Sequence, residues 1–319
     1  MMRISATVLT FLLLTIAAPS YAVINTQAGT AGAQFLKFGA GARAGAMADS
    51  FSAIADDAHA AYYNPAGLSQ LTGSQIAGAH TAYFQGVSYE VLDFAVPFAR
   101  QEQFSRHALA FGIYHLSVND IERRTGDSTD PVGTFGASDG AYALSYAYGP
   151  SRRLSFGATG KYIVQNLDSY SGTAFALDLG ALYHLNPEGE RPMTLAAVLR
   201  NAGTDTGYVS GAKDPLPVSL TLGLGLQAVP KRVKLNFEVT KYRDTDIFGA
   251  LGGEYRHPFS DATTGAMRFG YSSQRKDTPG LNGISLGGGV SFHRASFDVA
   301  WVPFGGLGDT FRYSLLVKF

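Results

Sequence analysis

The residues able to do chemistry are thinly spread, and their spacing limits what they can carry. The seven histidines (His59, His80, His107, His115, His184, His257 and His293) show no metal-binding spacing. His115 lies close to Asp120 in sequence, as a base and its orienting acid would, but no nucleophile is identifiable beside them. There is no cysteine, which excludes a disulfide scaffold, a thiolate metal site and a Cys nucleophile. Gly39, Gly41 and Gly45 could suggest a phosphate-cradling loop. No strand precedes them and no Gly-Lys-Ser/Thr follows, so they read as close backbone packing in a confined space. The formal charge of zero argues against nucleic acid as a partner. Neither enzyme chemistry, a cofactor nor a metal is expected.

The remaining charged residues sit in a different pattern. Asp93, Lys161, Asp178, Arg200, Lys234, Glu238, Glu254, Arg256, Asp298 and Lys318 occur within strand-like runs whose other face is Leu, Val, Phe or Tyr. Val233, Leu235, Phe237 and Val239, for example, alternate with Lys234, Asn236, Glu238 and Thr240. Five of the ten are acidic and five basic, which suits internal pairing better than an ion-selective pore.

Fourteen candidate strands carry these residues. They are 74–84, 87–98, 107–118, 140–148, 154–165, 174–184, 193–201, 218–227, 233–242, 247–256, 266–273, 284–292, 295–303 and 312–319. Most are longer than the roughly 5–6 residues usual in soluble sheets and match the ~9–11 that cross a bilayer tilted. Charged residues are only 16% of the chain and hydrophobic ones 46%, yet no apolar run after the N-terminus is long enough for a membrane helix. Such a composition fits a large β-sandwich or a membrane β-barrel. The connections alternate: longer or polar after the third, fifth, seventh, eleventh and thirteenth strands, shorter after most even ones, as in outer-membrane barrels.

In that fold the apolar face meets lipid and the ten charged residues line the lumen. A cation on the lipid face would cost roughly 2–4 kcal/mol at mid-membrane, which fixes the register. Tyr148, Tyr183, Tyr242, Tyr255 and Trp301, near strand ends, are expected in interfacial girdles. Gly252-Gly253 and Gly287-Gly288-Gly289 mark either relief of crowding against an internal plug or a wall kink.

Three domains follow. Residues 1–22 read as a signal peptide: Arg3, an apolar stretch from Val8 to Ala18, then Ser20-Tyr21-Ala22. Residues 23–71 form an N-terminal hatch, and 72–319 the barrel. The hatch runs through FLKFGAGARAGAMADSFSAIADDAHAAYYNPAGLSQL, whose Asn64, Pro65, Ala66 and Gly67 are expected to be the hinge between hatch and wall.

This stretch, the signal peptide and a fourteenth strand closing on Phe319 resemble the FadL-type outer-membrane proteins, and most of all the PorV/PorQ subfamily. The resemblance implies a 14-stranded antiparallel transmembrane β-barrel, all-β, with a luminal hatch, in the outer membrane of a Gram-negative-type bacterium. The family's hatch Asn-Pro-Ala corresponds to Asn64, Pro65 and Ala66. A terminal aromatic such as Phe319 is what the barrel-assembly machinery recognises in such proteins. FadL relatives pass hydrophobic compounds, long-chain fatty acids above all, through a lateral opening, so the expected partners are outer-membrane lipid and a hydrophobic ligand. PorV relatives serve type IX secretion instead, holding cargo beside other secretion-system components, and a scaffolding role is the alternative.

Overall fold

In the computed structural model the described residues are 29–319, apart from 102–103, 128, 209–212 and 276–282. The segment read as a signal peptide lies outside them. Fourteen antiparallel strands close into one barrel, β1 pairing with both β2 and β14. They are β1 (Gln75–Ala82), β2 (Ser88–Gln101), β3 (Phe104–Arg123), β4 (Gly133–Tyr148), β5 (Leu154–Leu167), β6 (Tyr170–His184) and β7 (Met193–Gly203). The second half comprises β8 (Ser219–Val229), β9 (Val233–Tyr242), β10 (Phe248–Pro258), β11 (Thr263–Ser272), β12 (Ile284–Phe292), β13 (Ala295–Pro303) and β14 (Asp309–Lys318). Closure leaves no free sheet edge in the lipid layer, where an unpaired backbone group is expensive.

Alternation decides which face goes where. Leu144, Phe175, Leu222, Met267 and Leu315 point outward and are exposed. Their neighbours Ser145, Ala176, Thr221, Arg268 and Ser314 point inward and are buried. A continuous exterior of large apolar side chains is stable only against lipid. No helix among the described residues is long and apolar enough to cross a membrane; the strands do so.

The connections differ from expectation at two places. The stretch 119–139 is mostly strand, since β3 runs to Arg123 and β4 starts at Gly133, so these strands form a projecting hairpin. Arg123 at its tip pairs with Asp168 of the β5–β6 turn at 2.6 Å. The stretch 166–173 is likewise nearly all strand, with only Asp168 and Ser169 between β5 and β6.

The hatch, residues 29–71, fills the lumen. It has two single-turn helices, α1 (Ala42–Gly45) and α2 (Ala60–Tyr63), and 3-10 turns at Gln34–Lys37 and Pro65–Gln70. Its alanines are nearly all buried, and Phe35, Met47, Phe51, Tyr62 and Leu68 are buried in one apolar cluster with wall residues. Small residues on both sides allow that fit. A Cβ at Gly157 of β5 would stand 2.3 Å from the backbone of Pro65 and Ala66, and one at Gly270 of β11 would stand 2.2 Å from the Met47 carbonyl carbon. Gly252 and Gly287 meet Met47 and Ala46 in the same way, so these wall glycines sit where the plug crowds the wall.

Two expectations are corrected here. Asn64-Pro65-Ala66-Gly67 is not placed as a hinge between hatch and wall. It lies deep in the lumen and is locked there: the Asn64 amide donates to the Ser52 and Ala181 carbonyls, and its Oδ1 accepts from Ala66 N–H, capping the 3-10 turn. The chain reaches the wall only at Gln75. Tyr242 is buried inside the barrel rather than in an interfacial girdle, stacked on Phe248. It shares the inward face of Glu238 and Thr240, so alternation outweighs its position at a strand end.

Candidate functional site

The three hatch glycines sit where the hatch folds against its own polar groups. Gly41 has φ of 79°, a conformation in which a side chain is strained, and a Cβ there would meet the His59 ring at 2.6 Å. Gly39 packs on Asp49 and Tyr63, and Gly45 on the Arg312 side chain. The hatch thereby brings one cation, Arg43, to the middle of the lumen.

Arg43 is the hub of the interior. Its Nε and Nη2 donate to both oxygens of Glu254 at 2.9 and 3.0 Å, a bidentate pair. Its Nη1 donates to Asp56 at 2.5 Å and Asp57 at 2.8 Å. Glu254 also receives Arg256 at 2.8 Å and Arg268 at 2.7 Å, and Arg268 reaches on to Asp298 at 2.7 Å. Lys234 pairs with Asp56. Hatch and strands β9, β10, β11 and β13 are therefore tied through one network. Burial pushes the Asp56 carboxyl up, but Arg43 and Lys234 more than offset this and hold it well below the usual carboxylate range.

Three further ties hold the hatch. Asp49 takes two bonds from Arg312 of β14, at 2.7 and 3.0 Å, and a third from the Tyr63 hydroxyl at 2.7 Å. Burial opposes ionisation of Asp49, yet the Arg312 guanidinium leaves its pKa lowered. His59 pairs with Asp93 of β2 at 2.7 Å, and Asp93 accepts from Tyr114 at 2.8 Å. Lys37 and Gln34 both donate to Asp244, between β9 and β10, at 2.7 and 2.9 Å.

A separate polar group lies in the wall itself. Between Leu177 and Leu179 the β6–β7 register shifts, and Asn201 takes a left-handed φ of 59°. The Asn201 N–H donates to Asp178 at 2.7 Å, while Lys161 reaches Asp178 at 2.5 Å and Asn201 Oδ1 at 2.8 Å. All three are buried. Outside them, on the lipid face, runs a groove of about 640 Å³ edged by Phe111, Tyr142, Tyr162, Phe175 and Leu177 and floored by Gly160, Lys161 and Ala176. Inside, the Lys161 ammonium stands 5.9 Å from the centre of the Tyr62 ring.

The hatch divides the lumen into two chambers. The outer one, about 330 Å³, is walled by Phe38, Tyr62, Tyr83, Tyr242, Phe248 and Phe304, with Arg200, Glu238, Arg275 and Arg312 among its polar groups. The inner one, about 350 Å³, is more polar and includes Asp56, Arg152, His184, Glu188 and Lys234. Of the ten charged residues placed in the lumen from the sequence, nine make the contacts described here or line these chambers. Lys318 shares the inward parity of Arg312 and Ser314 but is exposed at the rim, opposite Gln75. The pair His115 and Asp120 is not assembled: both are exposed, and a register shift falls between Val118 and Ile121. Sequence reasoning missed Arg268 and Arg312, although each alternates with aromatic or apolar neighbours. It also missed Arg43 and Asp49, which no periodicity marks.

A barrel of this strand number with this hatch fits a sequence match over residues 22–242, more than half of the chain, to the family model described as type IX secretion system protein PorV. The chain belongs to the PorV family. No curated protein sequence matches it. Solved structures share its fold at low identity. The toluene transporter TbuX of Ralstonia pickettii aligns with a TM-score of 0.54 at 14% identity, over 88% of this chain and 98% of that one. The toluene transporter TodX of Pseudomonas putida gives 0.56 at 12%, over 87% and 96%. A FadL homologue of Pseudomonas aeruginosa gives 0.53 at 13%, over 88% and 98%. At such identities these establish the fold: this PorV-family chain is a FadL-like, outer-membrane β-barrel of a Gram-negative bacterium.

Proposed function

We propose that the barrel passively transfers hydrophobic compounds, long-chain fatty acids among them, with the hatch as a fixed partition. One observation carries this reading. Tyr62, which lines the aromatic outer chamber, stands 5.9 Å from the ammonium of Lys161, and Lys161 in turn lines the groove on the lipid face and pairs with Asp178 and Asn201. A compound entering the outer chamber would leave sideways there, into lipid, without crossing the ion-paired centre. The register shift leaves strands β6 and β7 without regular pairing at that point, so the local cost of parting them is smaller than elsewhere. The FadL-like neighbours, two of them toluene transporters, support the substrate class.

Liposomes containing the protein are expected to take up a labelled fatty acid faster than empty ones. Gly160 faces open space on the groove floor, so Gly160→Trp fills the groove and should return uptake to the empty-liposome rate. Equal rates for protein-containing and empty liposomes would refute the reading.

A second reading is a secretion accessory that holds cargo or scaffolds other components. The family match favours it, as does the β3–β4 hairpin, whose strands run well beyond the pairing of Ser88 with Ser117 and present unshared backbone. Pull-down of secreted cargo or a translocon component that is lost on trimming residues 119–136 would decide for it.

A further inference from the structure

The two ends of the barrel differ in charge. The short turns, which are periplasmic in outer-membrane barrels, carry Arg152, Arg153, Arg191, Lys231, Arg232 and Arg294 against Glu188, Glu190 and Asp261. The loops at the opposite end are acidic on balance, with Asp127, Asp168, Asp205, Asp214 and Asp246 among them. Arg152 is engaged by Glu188. Lys231 and Arg232, in the β8–β9 turn, are exposed and have no side-chain partner among the described residues. Arg256 lies alongside, its N–H bonded to the Arg232 carbonyl at 2.7 Å, but its own guanidinium is held by Glu254. Next to this turn the lipid face is hollowed. A groove of about 220 Å³ is lined by Val233 and Leu235 of β9, Gly253 and Tyr255 of β10, and Met267 and Phe269 of β11. Gly253 stands in the outward series between Leu251 and Tyr255, and a Cβ there would meet the Phe269 ring at 2.4 Å, so the hollow depends on its lacking one. Val233 directly follows Arg232, so the groove begins beside the free cations. A solvated charge run needs no groove, and a lipid-facing hollow needs no cations; here the two meet.

We infer that the periplasmic end of the β9–β11 face is a binding site for one anionic phospholipid of the surrounding bilayer. Lys231 and Arg232 hold its phosphate, and the Gly253 groove holds the first part of one acyl chain. The site lies outside the barrel and does not depend on what the lumen carries. The groove is continuous with the apolar exterior, where Leu251 and Met267 are exposed, so its occupant comes from the bilayer. Two cations without carboxylates select a negative headgroup: Arg232 offers a planar fork to phosphate oxygens, and Lys231 a point charge. Phe259 in the β10–β11 turn and Phe292 at the end of β12 are exposed at the same end of the barrel, where aromatic rings sit at headgroup level. The groove beside Lys161 lacks this arrangement, because Lys161 is buried and paired with Asp178. A lipid there would be held by apolar contact alone.

The test uses the full-length barrel in detergent, offered equal amounts of phosphatidylglycerol and phosphatidylcholine with the same acyl chains, and native mass spectrometry to count the lipid retained. One phosphatidylglycerol should be kept in preference to phosphatidylcholine by at least about tenfold, the order expected of two basic side chains at an anionic headgroup. Lys231→Asn with Arg232→Gln should abolish the preference, in protein whose heat-dependent gel migration shows a folded barrel; asparagine suits the left-handed φ of 61° at Lys231. Arg153→Gln with Arg191→Gln removes equal charge from other turns of the same end and should leave the preference intact. Leu235→Trp fills the groove and should lower phosphatidylglycerol retention several-fold with both cations in place. Excess glycerol 1-phosphate should not displace the lipid. Equal retention of the two lipids by the parent protein would overturn the inference. A preference that survives loss of Lys231 and Arg232, or that falls as far on loss of Arg153 and Arg191, would overturn the assignment to this turn. Displacement by glycerol 1-phosphate, or retention unaffected by Leu235→Trp, would mean a phosphate site without a lipid groove and would overturn it as well.

Discussion

Replacing Arg43 by Leu removes the hub of the interior while keeping an apolar stem of similar reach. The consequences for its carboxylates can be followed one by one. Glu254 keeps Arg256 and Arg268, and Asp56 keeps Lys234. Asp57 keeps only the backbone N–H of His59, at 3.1 Å, among its described partners. One buried carboxylate is therefore left without a cation. Breaking a buried pair from one side costs about 3–5 kcal/mol, against 0–1 kcal/mol for an exposed pair. Urea titration of folding into vesicles of defined lipid should show a loss in that upper range for Arg43→Leu. Asp57→Asn in the same background should restore about half, because the orphaned charge is gone. A loss below about 1 kcal/mol, or a double variant less stable than the sum of the single ones, would refute the idea that ion pairing locks the hatch.

Other outcomes follow from the same interior. Gly157→Val should cost about 3 kcal/mol or more in the urea titration, because the added atoms meet the Pro65–Ala66 backbone, whereas Gly160→Val on the same strand should be nearly neutral. Deleting 35–52 should raise the conductance of planar bilayers and leakage of small hydrophilic solutes; unchanged permeability would place that segment outside the lumen. The pH dependence has a definite sign. Asp49 and Asp56 have folded pKa values below their unfolded ones, so their stabilisation is complete above the unfolded carboxylate pKa of about 4 and is lost as pH falls through the folded values. The part of the thermal stability due to these two groups should thus be lost below about pH 4, so that Asp49→Asn shows a shallower fall there than the parent protein.

The wall was readable because lipid outside and a polar lumen inside impose opposite demands on alternate residues. Strands such as β9 and β13 follow directly from that. Placement of Glu254, Asp178 and Asp298 in the lumen came from the same rule. The hatch was less readable, for a physical reason. Its residues pack through backbone and methyl groups in single turns, so neither period two nor 3.6 develops, and Arg43 looks like an isolated charge in an alanine stretch. Its role depends on Glu254, far away in sequence. The Asn64 segment was misjudged because Pro and Gly mark a change of direction, and only the three-dimensional setting shows that this turn is clamped against Gly157 and Gly180. The β7 irregularity at Asn201 has a sequence signal, since a polar Asn stands at the position where the outward series Leu195, Ala197 and Leu199 calls for a lipid-facing residue, but a strand simply ending there leaves the same signal.

Whether the hatch stays still during transfer is open to one direct measurement. Once the Ser52 hydroxyl, 2.5 Å away, turns aside, a Cβ at Gly223 would lie 3.4 Å from that of Ala53, close to the spacing a disulfide requires, and the chain has no cysteine of its own. Ala53→Cys with Gly223→Cys therefore staples hatch to wall on oxidation and frees it on reduction. Fatty-acid uptake into liposomes should be the same in the oxidised and reduced protein if the compound leaves sideways past a fixed hatch. Uptake that stops on oxidation and returns on reduction would contradict that claim and show that the hatch must move.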